Sequence, residues 1–323
     1  MKLGKLLAGM ALLCAAALPM LSRAQDYPSR SILFVVPFTP GTTADSLARL
    51  MQTHISQRWG VPIVVENRAG AAGIIGIDSV ARAAPDGYTF LFTSTAFGTL
   101  AAMNPKLPYD PKLSFAPVML VGTSPLTLVV NPYFPAKNVK EFLAQVRKRP
   151  GDLNYASAGT GSVFHLSMEL FQHETGTKMF HVPYKGTTGV MNDLVAGHVG
   201  ASMMVFQTAL PLVQSGRLRM LAVMSPQRAP LLPDVPTLVE SGLPNMVVEA
   251  WTGVMVPAKT PPAAIAKFSG EVNKVLALQE VKDVAARIGV TLAGGTPETL
   301  DNLVKKEINQ WTEVVKRANI KPQ

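Results

Sequence analysis

The sequence predicts a two-lobed α/β protein, and three observations carry that reading. Short apolar runs of strand length alternate with helix-period segments, the order expected of a parallel sheet covered by helices. Two small-residue loops resemble each other across more than a hundred residues: Phe38-Thr39-Pro40-Gly41-Thr42-Thr43-Ala44-Asp45 and Ser157-Ala158-Gly159-Thr160-Gly161-Ser162. Once the N-terminal segment is set aside, about 300 residues remain, enough for two α/β lobes of roughly 100–200 residues each.

That N-terminal segment reads as a cleaved secretory signal peptide over residues 1–24. Lys2 and Lys5 open it, Leu6 to Leu21 is apolar, and Ser22-Arg23-Ala24 offers small residues before Gln25. Its apolar core is short for a membrane span. Cys14 follows Leu13, whereas a lipid-attachment cysteine needs a small residue before it. Cys14 is also the only cysteine, so the mature chain has no disulfide, Cys nucleophile or Cys-ligated metal. A chain this long buries enough core to do without disulfides. Removing Lys2, Lys5 and Arg23 takes the formal charge from +9 to +6. The remaining basic residues are scattered, with no tract and no interleaved aromatics. Nucleic acid is therefore not an expected partner, while a modest positive field favours anionic solutes.

In chain order, Ile32 to Val36 is the first buried strand, and the first loop follows it. Leu47, Leu50, Met51 and Ile55 then recur at helical spacing, with Thr43 as the expected N-cap and Gly60 as the stop. Asp45 has two readings: a carboxylate that stabilises the helix N-terminus, which is preferred, or a group that orients waters or accepts from a ligand amine. Val61 to Val65 is the next strand. Glu66-Asn67-Arg68 leads through a Gly/Ala-rich turn into a helix over Ile74 to Ala83, and Arg68 is read as a clamp on that turn. Thr89 to Phe92 is a third strand, ending in Thr93-Ser94-Thr95. The C-terminal ends of such strands are where open α/β sheets bind ligands. Val118 to Val121 and Leu126 to Val130 read as two strands separated by Gly122-Thr123-Ser124-Pro125, the expected first crossover between lobes.

The second lobe opens with a helix over Val139 to Lys148. A strand over Leu153 to Ala156 leads to the second loop and to a helix whose buried stripe is Val163, Leu166, Leu170 and Phe171, with Ser162 as N-cap and Gly176 as stop. Phe180 to Pro183, a helix over Thr188 to Ala196, a strand over Val199 to Val205, a helix over Gln207 to Ser215 and a strand over Arg219 to Met224 follow. Trp251 to Val256 is the return strand. Thr260-Pro261 opens a helix over Ala263 to Leu278, and Thr296-Pro297 opens the C-terminal helix. The expected lobes are residues 25–123 with 249–323, and residues 124–248.

Each loop joins a strand to a helix N-terminus. Gly permits a sharp turn and close approach, Thr and Ser supply hydroxyls, and the first helical N–H groups lack internal partners. Together these make an anion site, and two of them suggest lobes that pinch one anion. Two ordinary capped βα turns have the same pattern. No assembled catalyst is legible. Gly159 to Val163 fails the G-x-S-x-G spacing of a nucleophile elbow. Ser162 and His165 lie three apart on one helix, but no local acid stands behind the histidine. His54, His173, His181 and His198 are dispersed without metal-ligand spacing.

A set of strings in fixed order adds a further reading. It runs from Val36-Pro37-Phe38-Thr39-Pro40-Gly41 through Val65-Glu66-Asn67-Arg68-Ala69-Gly70, Pro85-Asp86-Gly87-Tyr88 and Pro108-Tyr109-Asp110-Pro111. It continues with Tyr155 to Ser162, His181-Val182-Pro183-Tyr184-Lys185-Gly186, Leu232-Pro233-Asp234-Val235-Pro236-Thr237 and Trp251-Thr252-Gly253. Over essentially the whole mature length, the chain resembles the Bug-type extracytoplasmic solute receptors, the substrate-binding proteins of tripartite tricarboxylate transporters. The resemblance implies a type II periplasmic binding-protein fold with a ligand cleft between hinged lobes, a periplasmic location and no catalysis. It implies a small organic carboxylate as ligand and a tripartite tricarboxylate-type membrane permease as partner. No cofactor is implied, and a monomer is expected.

Carried onto this chain, the family's carboxylate grip lies at Phe38, Thr39, Pro40, Gly41, Thr42, Thr43 and Asp45 on one side. Ser157, Gly159, Thr160, Gly161, Ser162 and His165 form the other. Thr93, Ser94, Tyr184, Phe206 and Gln207 are candidates for the ligand's distal end. One departure stands out: Thr42 replaces the second glycine of the family's first loop, narrowing the pocket and adding a hydroxyl. With no acid at Phe206-Gln207, the reading leans away from an amino-acid ligand. Rival readings are an exported hydrolase using Ser162 and His165, and a receptor domain that feeds a signalling partner.

Overall fold

The computed structural model describes residues 27–320. The expected signal peptide and its cleavage site lie outside the described residues. The strands are β1 (Ile32–Val36), β2 (Ile63–Asn67), β3 (Thr89–Ser94), β4 (Phe115–Val130), β5 (Asn154–Ser157), β6 (Phe180–Pro183), β7 (Ala201–Val205), β8 (Arg219–Val223), β9 (Glu249–Pro257) and β10 (Thr291–Leu292). The helices are α1 (Thr43–Trp59), α2 (Ile74–Ala81), α3 (Ala96–Met103), α4 (Val139–Lys148) and α5 (Val163–Thr175) in the first half. They continue with α6 (Thr187–Ala196), α7 (Phe206–Gln214), α8 (Pro262–Leu276), α9 (Gln279–Arg287) and α10 (Pro297–Arg317).

Apolar β-branched and aromatic residues make β1 a central strand, with β2 and β3 parallel on either side. Around it, Phe34, Phe90, Phe92 and Phe268 interlock, Phe90 stacking on Phe268 at 3.9 Å between centroids. Burying each such ring is worth about 2–3 kcal/mol. In the other lobe β5 runs parallel to β6 and β7. There Leu126, Leu128, Phe142, Tyr155, Leu166 and Phe171 share a core.

The lobes meet on two antiparallel strands. Phe115 to Pro125 of β4 pairs with β9, and Leu126 to Val130 of the same strand pairs with β7 and β8. The two strands expected over 118–121 and 126–130 are therefore one. Gly122-Thr123-Ser124-Pro125 reads as a turn, yet every one of those residues has a partner on β9 from Thr252 to Glu249. Pairing overrides local preference here, and the misfit is absorbed as register shifts after Pro117 and Leu120. Helix α10 also reaches both lobes. Leu300, Val304 and Ile308 pack with Trp251 and Phe97, whereas Trp311, Val314 and Val315 join the core of Leu128 and Phe171.

Other expectations shift by small amounts. The helix expected over 263–278 ends at Leu276, and α9 follows as a separate element. Pro261 takes the cap position expected for Thr260. Helix α3, unpredicted, begins directly after β3.

Candidate functional site

Both loops leave the C-terminal end of a parallel strand. In the first, Gly41 turns with φ +85°, a left-handed value that favours glycine. Thr42, not Thr43, caps α1: its φ is −73° and its Oγ1 accepts from Asp45 N at 3.4 Å. The departure at Thr42 is thus compatible with the backbone, and the added hydroxyl serves the helix.

Asp45 differs from the expectation that it lines the cleft. It is buried behind the loop with both oxygens occupied. Oδ2 accepts from Gly41 N at 2.9 Å, Oδ1 accepts from Asn67 Nδ2 at 2.9 Å, and Arg49 Nε donates to both at 3.1 and 3.2 Å. Burial pushes its carboxyl up, but the bonds from Arg49, Gly41 and Asn67 outweigh that and hold it below the usual carboxylate range. Arg68 does not clamp the turn. It forks onto Glu66 at 2.8 and 2.9 Å, and its neighbour Asn67 holds the loop.

In the second loop Ser162 caps α5 as predicted, its Oγ accepting from His165 N at 3.3 Å. Gly159 N donates to Ser157 Oγ at 3.2 Å, and Gly161 N donates to His165 Nδ1 at 3.1 Å. That bond leaves the proton of neutral His165 on Nε2. Ser157 Oγ lies 2.7 Å from His181 Nε2. The His165 and His181 rings stack 3.9 Å apart, tilted by 10°. Burial, reinforced by the neighbouring His181, drives His165 down to about 3, and burial drives His181 down to about 4. Both imidazoles are neutral struts. A Ser/His nucleophile pair requires Ser162 Oγ on the imidazole. Here Ser162 Oγ and His165 Nδ1 each take a backbone N–H.

The N–H groups of Gly41, Gly159 and Gly161 are therefore already engaged, and these glycines shape the loops. Among the described residues the N–H groups of Thr39 and Thr160 have no partner. Those of Thr43, Ala44, Val163 and Phe164 lie in first helical turns, where no intrahelical partner exists. These N–H groups and the hydroxyls of Thr39, Thr160 and Ser162 are neutral donors at two positive helix ends.

The start of α1 meets the start of α7 across the lobe junction. Thr43 Oγ1 at the start of α1 donates to Gln207 Oε1 at the start of α7. The Phe206 ring lies against Gly289, where a Cβ would sit 2.5 Å from it, and Gly161 lies against Met103. Thr93 is fully buried and its Oγ1 has no hydrogen-bond partner, while Ser94 Oγ accepts from Ala96 N at 3.4 Å. Tyr184 departs from its expected place. Its OH donates to Asp193 Oδ2 at 2.5 Å and its ring lies by Gly189, so its phenol serves its own lobe. Its backbone N supports the second loop through Ser157 O at 2.9 Å.

Sequence reasoning missed Arg49, Asn67 and His181. The i,i+4 spacing of Asp45 and Arg49 was the available signal for one. The others act through tertiary contacts that carry no local pattern.

Comparison with known proteins follows the same lines. The sequence pattern of the tripartite tricarboxylate transporter family receptors, TctC, matches residues 47–320. The protein BugT of Bordetella pertussis is 37% identical over 300 residues, covering 92% of each chain. Rpa4515 of R. palustris, solved with adipate, is 34% identical with a TM-score of 0.86, over 92% of this chain and 100% of its own. MatC of Rhodopseudomonas palustris, solved with bound malate, is 34% identical with a TM-score of 0.81, over 90% of this chain and 100% of its own. With its two-lobed type II binding-protein fold, this chain belongs to the TctC family of tripartite tricarboxylate transporter receptors.

Proposed function

We propose that the protein captures a small organic carboxylate between its lobes in the periplasm and delivers it to a tripartite tricarboxylate-type permease, after cleavage of residues 1–24 and as a monomer. One observation carries the reading: the first turn of α1, where the N–H groups of Thr43 and Ala44 have no intrahelical partner, meets the start of α7 in the other lobe through Thr43 and Gln207. Such ends bind carboxylates without a cationic side chain. Adipate in Rpa4515 and malate in MatC support the ligand class. The lobes divide after Thr123 and before Glu249, and the ligand lies against Thr39, Thr42, Thr43, Thr160 and Ser162. Asp45 is spent on the loop, and Gln207 stands where an acid would receive an ammonium. The preferred ligand is therefore a carboxylate without an amino group.

The test is a thermal-shift screen of protein unfolded and refolded to remove retained ligand. The panel spans mono-, di- and tricarboxylates with and without amino groups. A ligand at 100 times its Kd adds about 2.7 kcal/mol. A shift confined to carboxylates, abolished by Thr160→Trp, is the expected result. No shift across the panel, with refolding verified, overturns the reading; a response to amino acids alone overturns the preference against an ammonium.

A further inference from the structure

The first loop has little to hold its shape from outside. Thr39, Pro40 and Gly41 are exposed, and an exposed loop ordinarily samples many conformations. Its order comes from beneath. Asn67 ends β2, the edge strand, and is paired with Val36 of β1. From there its Nδ2 donates to Phe38 O at 3.1 Å, where the loop begins, and to Asp45 Oδ1 at 2.9 Å, where the helix begins. Its Oδ1 accepts from Arg49 Nη2 at 2.9 Å. Arg49 and Gly41 N complete the shell of Asp45. Three side chains from two elements thus close a ring that pins the loop's first carbonyl and its turn N–H. Both Asn67 donors are used, and both Asp45 oxygens. A fully satisfied polar network of this kind fixes one conformation.

The ring also answers an electrostatic problem. A carboxylate in the first turn of α1 sits beneath the place where the proposed anion docks, and like charges repel there. Arg49 cancels that charge, and Asn67 holds Arg49 in position. We propose that Asn67 is a positioning residue for anion capture, aligning the N–H groups of Thr43 and Ala44 in the first turn of α1 by tying the first loop to Asp45 and Arg49. The proposal rests on the receptor reading. Preorganisation of this kind raises affinity because the loop need not be ordered on binding.

Two variants of the full mature chain test it, Asn67→Ala and Asn67→Asp. The second keeps the volume and the acceptor for Arg49 but loses both donors and sets a second carboxylate beside Asp45, whereas the first removes the donors without adding charge. The first readout is residue-resolved amide hydrogen exchange of ligand-free protein. The Gly41 amide should exchange at least tenfold faster in both variants, while amides of β1 and β3 keep wild-type rates. The second readout is calorimetry with adipate and malate as probes, where affinity should fall tenfold or more. Gly41 exchange within twofold of wild type in either variant overturns the proposal, as does undiminished affinity for a probe that wild type binds. If wild type binds neither probe, the doubt falls on the ligand reading, and the exchange data still decide the role of Asn67.

Discussion

Two imidazoles stacked 3.9 Å apart, as His165 and His181 are, tolerate one proton poorly and two worse. His165 Nδ1 accepts Gly161 N–H, and a proton there would turn the acceptor into a donor facing a donor. Burial depresses both groups, to about 3 and about 4, against roughly 6.5 in the unfolded chain. Below pH 6.5 the unfolded state therefore binds more protons than the native state, and stability falls with pH. The loss begins near 6.5, grows through the range around 4 and levels off near 3, at a cost on the order of a few kcal/mol. His165→Gln offers an acceptor without a titrating ring. Its melting temperature should vary less than wild type between pH 6.5 and 4; an equal slope would remove His165 from the explanation. The sequence makes Ser162 legible because a cap is a local motif. His181 is illegible because its contact with Ser157 comes from parallel pairing of β5 with β6, which no window of sequence displays.

Among the elements, α10 shows what periodicity reveals and what it hides. Leu300, Leu303, Val304, Trp311, Val314 and Ala318 mark its apolar face in the sequence; four of them are buried, while Leu303 and Ala318 are half-buried. The same face carries Glu307, also buried, whose Oε2 accepts from Trp251 Nε1 at 2.6 Å. Burial pushes this carboxyl up to about 8, partly countered by the Trp251 bond. The native state thus binds more protons than the unfolded state between pH 4.5 and 8, so Glu307 costs stability as pH rises through that window. Glu307→Gln keeps an acceptor for Trp251 and removes the ionisation. It should raise the melting temperature at pH 8.5, by up to a few kcal/mol of stability, and change little at pH 5. A variant no more stable than wild type at pH 8.5 would contradict this. Helix α3 stayed hidden for the opposite reason. Phe97, Gly98, Thr99 and Met103 are all buried, and a short segment without a polar face gives no helical period.

For the whole molecule, the strand–loop–helix order is enough to suggest two lobes, because each lobe repeats a βα unit whose buried strands are continuous apolar runs. How the lobes touch is not written in any run. It depends on Thr43 meeting Gln207 and Phe206 meeting Gly289, pairs separated by much of the chain. These contacts stabilise the closed arrangement before any ligand adds to it. One net hydrogen bond contributes about 1 kcal/mol, which is roughly fivefold in the ratio of closed to open molecules. A ligand that binds only the closed form has its apparent affinity reduced by the fraction that is open. Gln207→Ala should therefore leave the melting temperature nearly unchanged, enlarge the radius of gyration of ligand-free protein in solution scattering, and weaken carboxylate binding by up to about fivefold. Saturating ligand should restore the compact form, because its own contacts to both lobes supply the missing closure. An unchanged radius in the ligand-free variant would mean that β4, β9 and α10 alone hold the lobes together. In that case the Thr43 to Gln207 bond follows closure and does not favour it.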